Sequence, residues 1–218
     1  MPPDEIARLA IGRRDRLLLE LRERTFGPRL VSIAACPACG ERLEVDAAVR
    51  DLLVEETEGT PGETADAEEE PRALAADGWQ VRFRLPHSLD VLALTGSADP
   101  GQARRRLLAA CLLEARSPAS EEADAEALPD AVLQAVADGM AEADPQADVE
   151  LALTCPACAH SWLALFDIVS FFWTEIDAWA RVLLQEVHVL ASTYGWREPD
   201  ILALSPWRRR AYLEMVGR

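Results

Sequence analysis

Cys36-Pro37-Ala38-Cys39 and Cys155-Pro156-Ala157-Cys158 are the same four-residue peptide written twice, far apart, in a chain of 218 residues. A CPxC turn is a knuckle: it sets two thiols on one side of a tight turn with backbone N–H groups facing the sulfurs, and two knuckles complete a tetrahedral four-thiolate site. Each copy lies between strand-like segments, LVSIAA and GERLEVD around the first and VELALT and SWLALFDI around the second. Strand, knuckle, strand is thus repeated, which is the zinc-ribbon arrangement. The spacing predicts one structural Zn2+ per chain, ligated by Cys36, Cys39, Cys155 and Cys158. Four thiolates leave no open coordination position, so such an ion staples a fold and does not catalyse. The same ligands can hold a single iron. A redox pair is the main competing reading, but neither CxxC opens a helix after a strand within a βαβ unit. Bare structural thiols are the third.

Composition narrows the function classes. Half of the residues are hydrophobic, enough for a core. There is no apolar run of membrane-spanning length and no signal-peptide core in MPPDEIARLAIGRRD, so the expected location is cytoplasmic. Thiols stay reduced in that compartment, and paired cysteines there point to metal before disulfides. The net charge is −16, and all 22 basic residues are arginine. Without lysine neither Schiff-base chemistry nor a P-loop is available. Residues 55–70, EETEGTPGETADAEEE, concentrate the acid and predict a solvated loop, extended to 77 in the domain reading.

The expected class is α+β: a small four-cysteine zinc-ribbon β module with a large, mainly helical insertion, an N-terminal helix and long C-terminal helices. Residues 1–30 read as a helical segment, with one helix or two short ones broken near Gly12. Residues 31–46 carry the first knuckle and its strands. The insertion, 47–150, holds the acidic loop, a strand over 79–85 from the alternation in WQVRFRLP, a helix over 100–116 and another over 129–143. Residues 151–166 carry the second knuckle. From Asp167 onward Phe172, Ile176, Trp179, Leu183, Val187, Leu190 and Tyr194 recur at steps of three and four, predicting a long helix that stops at Gly195. Asp177 and Arg181 are spaced to pair on its outside. Ser205-Pro206 opens a closing helix.

Other reactive residue types have plainer readings. His160 sits two positions after Cys158, but four thiolates already fill the site. His87 and His188 have no nucleophile or carboxylate partner visible in the sequence, and Cys111 falls on an apolar helix face where it acts as a small hydrophobe. Arg104-Arg105-Arg106 and Arg208-Arg209-Arg210 suggest phosphate contacts, which the overall negative charge opposes. No nucleophile is paired with a base, so no enzyme is expected. Trp196 and Trp207 flank a helix break. With Arg208, Arg209 and Arg210 they are the candidate partner-binding residues.

LLLELRERTFGPRL before CPACGERLEV, then VRFRLPHSLDVLAL, and above all the tail from DIVSFFWTEIDAW through GWREPDILALSPWRRRAYLEMV, resemble the T4-type baseplate protein family, often labelled baseplate hub assembly chaperones. Such proteins occur in contractile phage tails and phage-tail-like injection systems. The resemblance implies a non-enzymatic part in building a baseplate hub, with hub or spike proteins as partners, no membrane and no family active site. The alternative is a zinc-ribbon module that binds nucleic acid or regulates, which salt-dependent binding through the arginine runs would reveal.

Overall fold

The computed structural model describes residues 3–54, 71–119 and 121–217. The chain divides into two compact units, Met1–Asp167 and Ile168–Arg218. The acidic stretch 55–70 lies outside the described residues.

The first unit begins with a short helix α1 (Pro3–Ile6) and the longer α2 (Ile11–Phe26). The break falls at residues 7–10, ahead of Gly12, which belongs to the first turn of α2. The N-cap residue of α2 is Ala10, which has no side chain to cap with. The acceptor comes instead from Asp144, whose Oδ2 takes the Gly12 N–H at 2.8 Å. A Cβ at position 12 would lie 1.8 Å from Asp144 Oδ1, so only glycine lets the carboxylate approach. Burial raises the Asp144 pKa against the pull of that N–H.

The first hairpin pairs β1 (Arg29–Ala35) with β2 (Arg42–Ala48), antiparallel, and runs into a single turn α3 (Val49–Leu52). A buried Gln146 fixes the chain as it leaves α3: its Nε2 donates to Leu52 O at 3.1 Å and its Oε1 accepts from Val54 N at 2.8 Å. Past the acidic stretch, β3 (Arg72–Ala76) and β4 (Trp79–Phe83) form a hairpin around Asp77-Gly78, both in the left-handed region at φ 49° and 79°. The loop expected to continue to residue 77 therefore ends earlier. Arg72–Ala76 is strand because Leu74 packs against the core beside Val81 and Phe83.

Helices α4 (Ser88–Ala93) and α5 (Pro100–Cys111) come next, and then β5 (Leu112–Arg116) joins β4 antiparallel to give the sheet order β3-β4-β5. This corrects the helix expected over 100–116. LLEAR is a good helix former, but pairing with β4 outweighs local propensity. Arg84 marks the switch: its backbone N–H donates to Cys111 O at 2.9 Å and its guanidinium to Ala110 O at 2.9 Å. Helix α6 (Asp130–Ala143) covers the sheet. Val132, Leu133, Val136 and Met140 pack with Val81, Phe83, Leu108, Cys111 and Ala115 in the main core. The insertion thus sets its helices against a three-stranded sheet, of which the sequence had shown only one strand. The second hairpin pairs β6 (Glu150–Thr154) with β7 (Ser161–Leu165).

The second unit is helical: α7 (Ile168–Tyr194), α8 (Glu198–Leu202) and α9 (Pro206–Val216). Gly195, at φ 67°, ends α7 where the sequence placed the stop. Arg181 and Asp177 pair at 2.8 Å. Ser205 Oγ accepts the Arg208 N–H, as an N-cap before a proline should. Helix α8 was not foreseen, since a five-residue segment carries no period. Its Ile201 is fully buried with Val187 and Leu190, and Trp196, Tyr212 and Leu213 close the small core. Among the described residues no helix is long and apolar enough to cross a membrane.

Candidate metal centre

The two hairpins meet the same backbone specification. Their last paired residues are Ala35↔Arg42 and Thr154↔Ser161, so residues 36–41 and 155–160 are knuckles of equal length. In the first, Cys36 N donates to Glu41 O at 2.8 Å and Gly40 N to Cys36 O at 2.9 Å; in the second, Cys155 N donates to His160 O and Ala159 N to Cys155 O, both at 2.9 Å. The fifth residue of each knuckle is left-handed, Gly40 at φ 75° and Ala159 at φ 57°. Glycine occupies that conformation freely, whereas alanine must be held in it by its surroundings.

The knuckles bring the four sulfurs together. All four Sγ atoms lie within 4.8 Å of one another, with Cys36–Cys158 at 3.7 Å and Cys39–Cys155 at 3.6 Å. A zinc–sulfur bond of about 2.3 Å gives a regular tetrahedron an edge of about 3.8 Å, so these two separations are those of ligands around one ion and far beyond a disulfide bond of about 2.0 Å. The arrangement has a local two-fold character. The first cysteine of each knuckle is buried and the second exposed, and each close pair joins a first to a second.

The crowded sulfurs also act on one another's ionisation. Burial acts to raise the Cys36 thiol but is outweighed by the Cys39 and Ala38 N–H groups and the neighbouring thiols, which bring it down to about 7. Cys39 takes the Glu41 N–H, yet the Cys158 thiol, burial and the other sulfurs push it up to about 12. Cys158 is also raised: the His160 N–H and Cys39 pull it down, but burial and the Cys155 and Cys36 thiols outweigh them. Packed sulfurs cannot all ionise alone, and a divalent cation is what relieves their repulsion. The donor set fits zinc, and it fits iron.

Other candidate residues fall elsewhere. His160 enters the knuckle through its backbone, and its ring stacks on Trp162 with centroids 6.0 Å apart. His87 does have a carboxylate partner: it caps α4, accepting the Asp90 N–H, while Asp90 Oδ2 accepts the His87 N–H at 3.0 Å. Asp90 also receives both arms of Arg84, at 2.7 and 2.8 Å. The sequence reading missed this carboxylate although Asp90 stands only three positions after His87, and Arg84 only three before it. His188 is exposed on α7. Cys111 is fully buried, and burial raises its thiol to about 11. Of the arginine runs, Arg104 is held by Gln134 and Arg105 by Asp130, both on α6.

The C-terminal candidates separate into two kinds. Trp196 is half-buried, stacked on Tyr194 and edge-on to Tyr212 at 4.7 and 4.8 Å. Arg209 is buried, donating to Glu186 and to Leu204 O, each at 3.0 Å. Trp207 stays 77% exposed, and Arg208 and Arg210 are exposed with it.

An α+β protein with one four-cysteine cluster, the only such group of potential metal ligands among the described residues, is the class these features define. The chain matches the family described as T4 bacteriophage base plate protein over residues 2–173, and it belongs to that family. No curated protein and no solved structure matches it. Both hairpins and the whole cluster lie inside the matched range. The tail, read from sequence as the most specific part of the resemblance, lies almost wholly beyond it, so membership rests on the first unit. A structural or assembly role in a phage baseplate, in the company of other baseplate proteins, follows from the family.

Proposed function

We propose that the chain is a non-enzymatic assembly factor or structural component of the baseplate hub in a contractile phage tail or a phage-tail-like injection system. In this reading Cys36, Cys39, Cys155 and Cys158 hold one structural Zn2+. The observation that carries it is the cluster itself, two matched knuckles with four sulfurs within 4.8 Å, inside the range matched to the baseplate family. The ion ties together two hairpins that share no sheet and are separated in sequence by the whole insertion. It would act as a crosslink, and with its coordination shell closed it would supply no reactive position. Hub and spike proteins are the proposed partners, with Trp207, Arg208 and Arg210 as the exposed part of the C-terminal contact surface; Trp196 and Arg209 support it from beneath.

Metal analysis on the purified chain tests the staple, and co-expression with the neighbouring tail genes followed by a tagged pull-down tests the role. Hub or spike proteins recovered with zinc support the reading. Presence in or absence from finished particles separates a component from a chaperone. Nucleic acid recovered without any tail protein overturns it in favour of a nucleic-acid-binding or regulatory ribbon.

A further inference from the structure

Helix α7 spans 27 residues, about 40 Å. Within its own unit it is joined to α8 and α9 through Glu186, Val187 and Leu190, toward its C-terminal end. Ahead of these, Val169, Trp173, Ile176, Ala180 and Leu184 form one stripe at steps of four, three, four and four, with no polar residue in it. Val169 is 41%, Trp173 69% and Leu184 61% exposed. An indole standing that far into water is a costly surface unless something covers it.

The charge distribution says what that is. The sequence from Ile168 to Arg218 contains six carboxylates and six arginines, so the net charge of −16 resides entirely in the rest of the chain. Beside the apolar stripe stand two exposed charges of opposite sign, Asp177 and Arg181, one turn apart. If two copies of α7 lie antiparallel and cross near residue 179, Asp177 of each copy meets Arg181 of the other. Trp173 of each then lies toward Leu184 of the other. Ala180 provides the small residue that lets the helix axes approach to about 8–10 Å. Knob, hole and both charges are thus on one patch in mutually matching order, which a two-fold interface requires.

We propose that the chain self-associates through this face of α7, its occupant being α7 of a second copy in antiparallel orientation. The test is sedimentation velocity on the full chain across the micromolar range at physiological salt. The wild type should form dimers, and Leu184→Glu should weaken them by about tenfold or more. Asp177→Arg and Arg181→Asp should each dissociate the dimer, because each makes the patch repel itself. Mixing the two variants should restore dimers, since they complement each other. Recovery on mixing cannot come from the ion pair within one helix, and it keeps the test decisive if Leu184→Glu fails to fold. A wild type that stays monomeric overturns the proposal, including one that accepts a helix of another baseplate protein on the stripe. So do swap variants that dimerise as well as the wild type, or a mixture that remains monomeric.

Discussion

Cys39→Ser removes one of the four proposed ligands with the least collateral damage. Cys39 is exposed, whereas Cys36 and Cys155 are buried and would add a packing loss of their own. Its sulfur lies 3.6 Å from that of Cys155, and the two are 116 residues apart in sequence. A crosslink closing a loop of that size lowers the entropy of the unfolded chain by about 5 kcal/mol at room temperature, on the loop-closure model. In a unit of this size each kcal/mol moves the melting temperature by roughly 2–4 °C. Loss of the metal should therefore lower the transition of the first unit by about 10–20 °C. Differential scanning calorimetry on the metal-loaded wild type, a chelated sample and the variant reads this directly. Cys39→Ser/Cys155→Ser should be nearly as stable as Cys155→Ser, because a crosslink already broken cannot be broken again. A metal-free variant that melts within about 2 °C of the loaded wild type would refute the staple.

The left-handed fifth position of the knuckles makes opposite demands on its two occupants. Gly40→Ala should destabilise by about 1–2 kcal/mol and Ala159→Gly should stabilise by up to about 1 kcal/mol, read as shifts in urea midpoint at constant slope. Gly12→Ala should cost about 2–3 kcal/mol by driving Asp144 off the start of α2, and Asp144→Ala about 1 kcal/mol by removing the cap; circular-dichroism melts separate the two. Burial raises the pKa of Asp90, but Arg84, the His87 N–H and the neighbouring charges outweigh it and hold it below the usual carboxylate value. The folded state then holds that proton less tightly than the unfolded chain. The stabilisation is complete above about pH 5 and is lost as pH falls through the folded value, and Asp90→Asn should flatten that part of a stability–pH profile.

The sequence was most legible where one residue does a local job. Two CPAC peptides between alternating segments pointed to the knuckles and to the grouping of their four cysteines, because the turn determines where both thiols point. The apolar period of α7 and the glycine after it gave that helix its ends. What sequence concealed depended on partners far along the chain. Leu112–Arg116 is strand only because β4 is beside it. Asp144 caps a helix 132 positions earlier, which no local signature records. His87 is the exception: its partner Asp90 and the Arg84 that binds Asp90 each stand three positions away, and only the turn that opens α4 brings them together. Trp196 stands beside a helix break in the sequence, where nothing local shows that Tyr212 of α9 meets its ring edge-on while Tyr194 stacks on it.

The central claim is that a metal-stapled chain takes part in building a baseplate. The most direct measurement is a pull-down of the tagged wild type and of Cys39→Ser/Cys155→Ser from cells expressing the whole tail gene cluster, with mass spectrometry and metal analysis of each eluate. The account predicts zinc at one ion per chain together with hub or spike proteins for the wild type, and loss of both for the variant. A wild type that carries no metal, or that brings down nucleic acid and no tail protein, would contradict it.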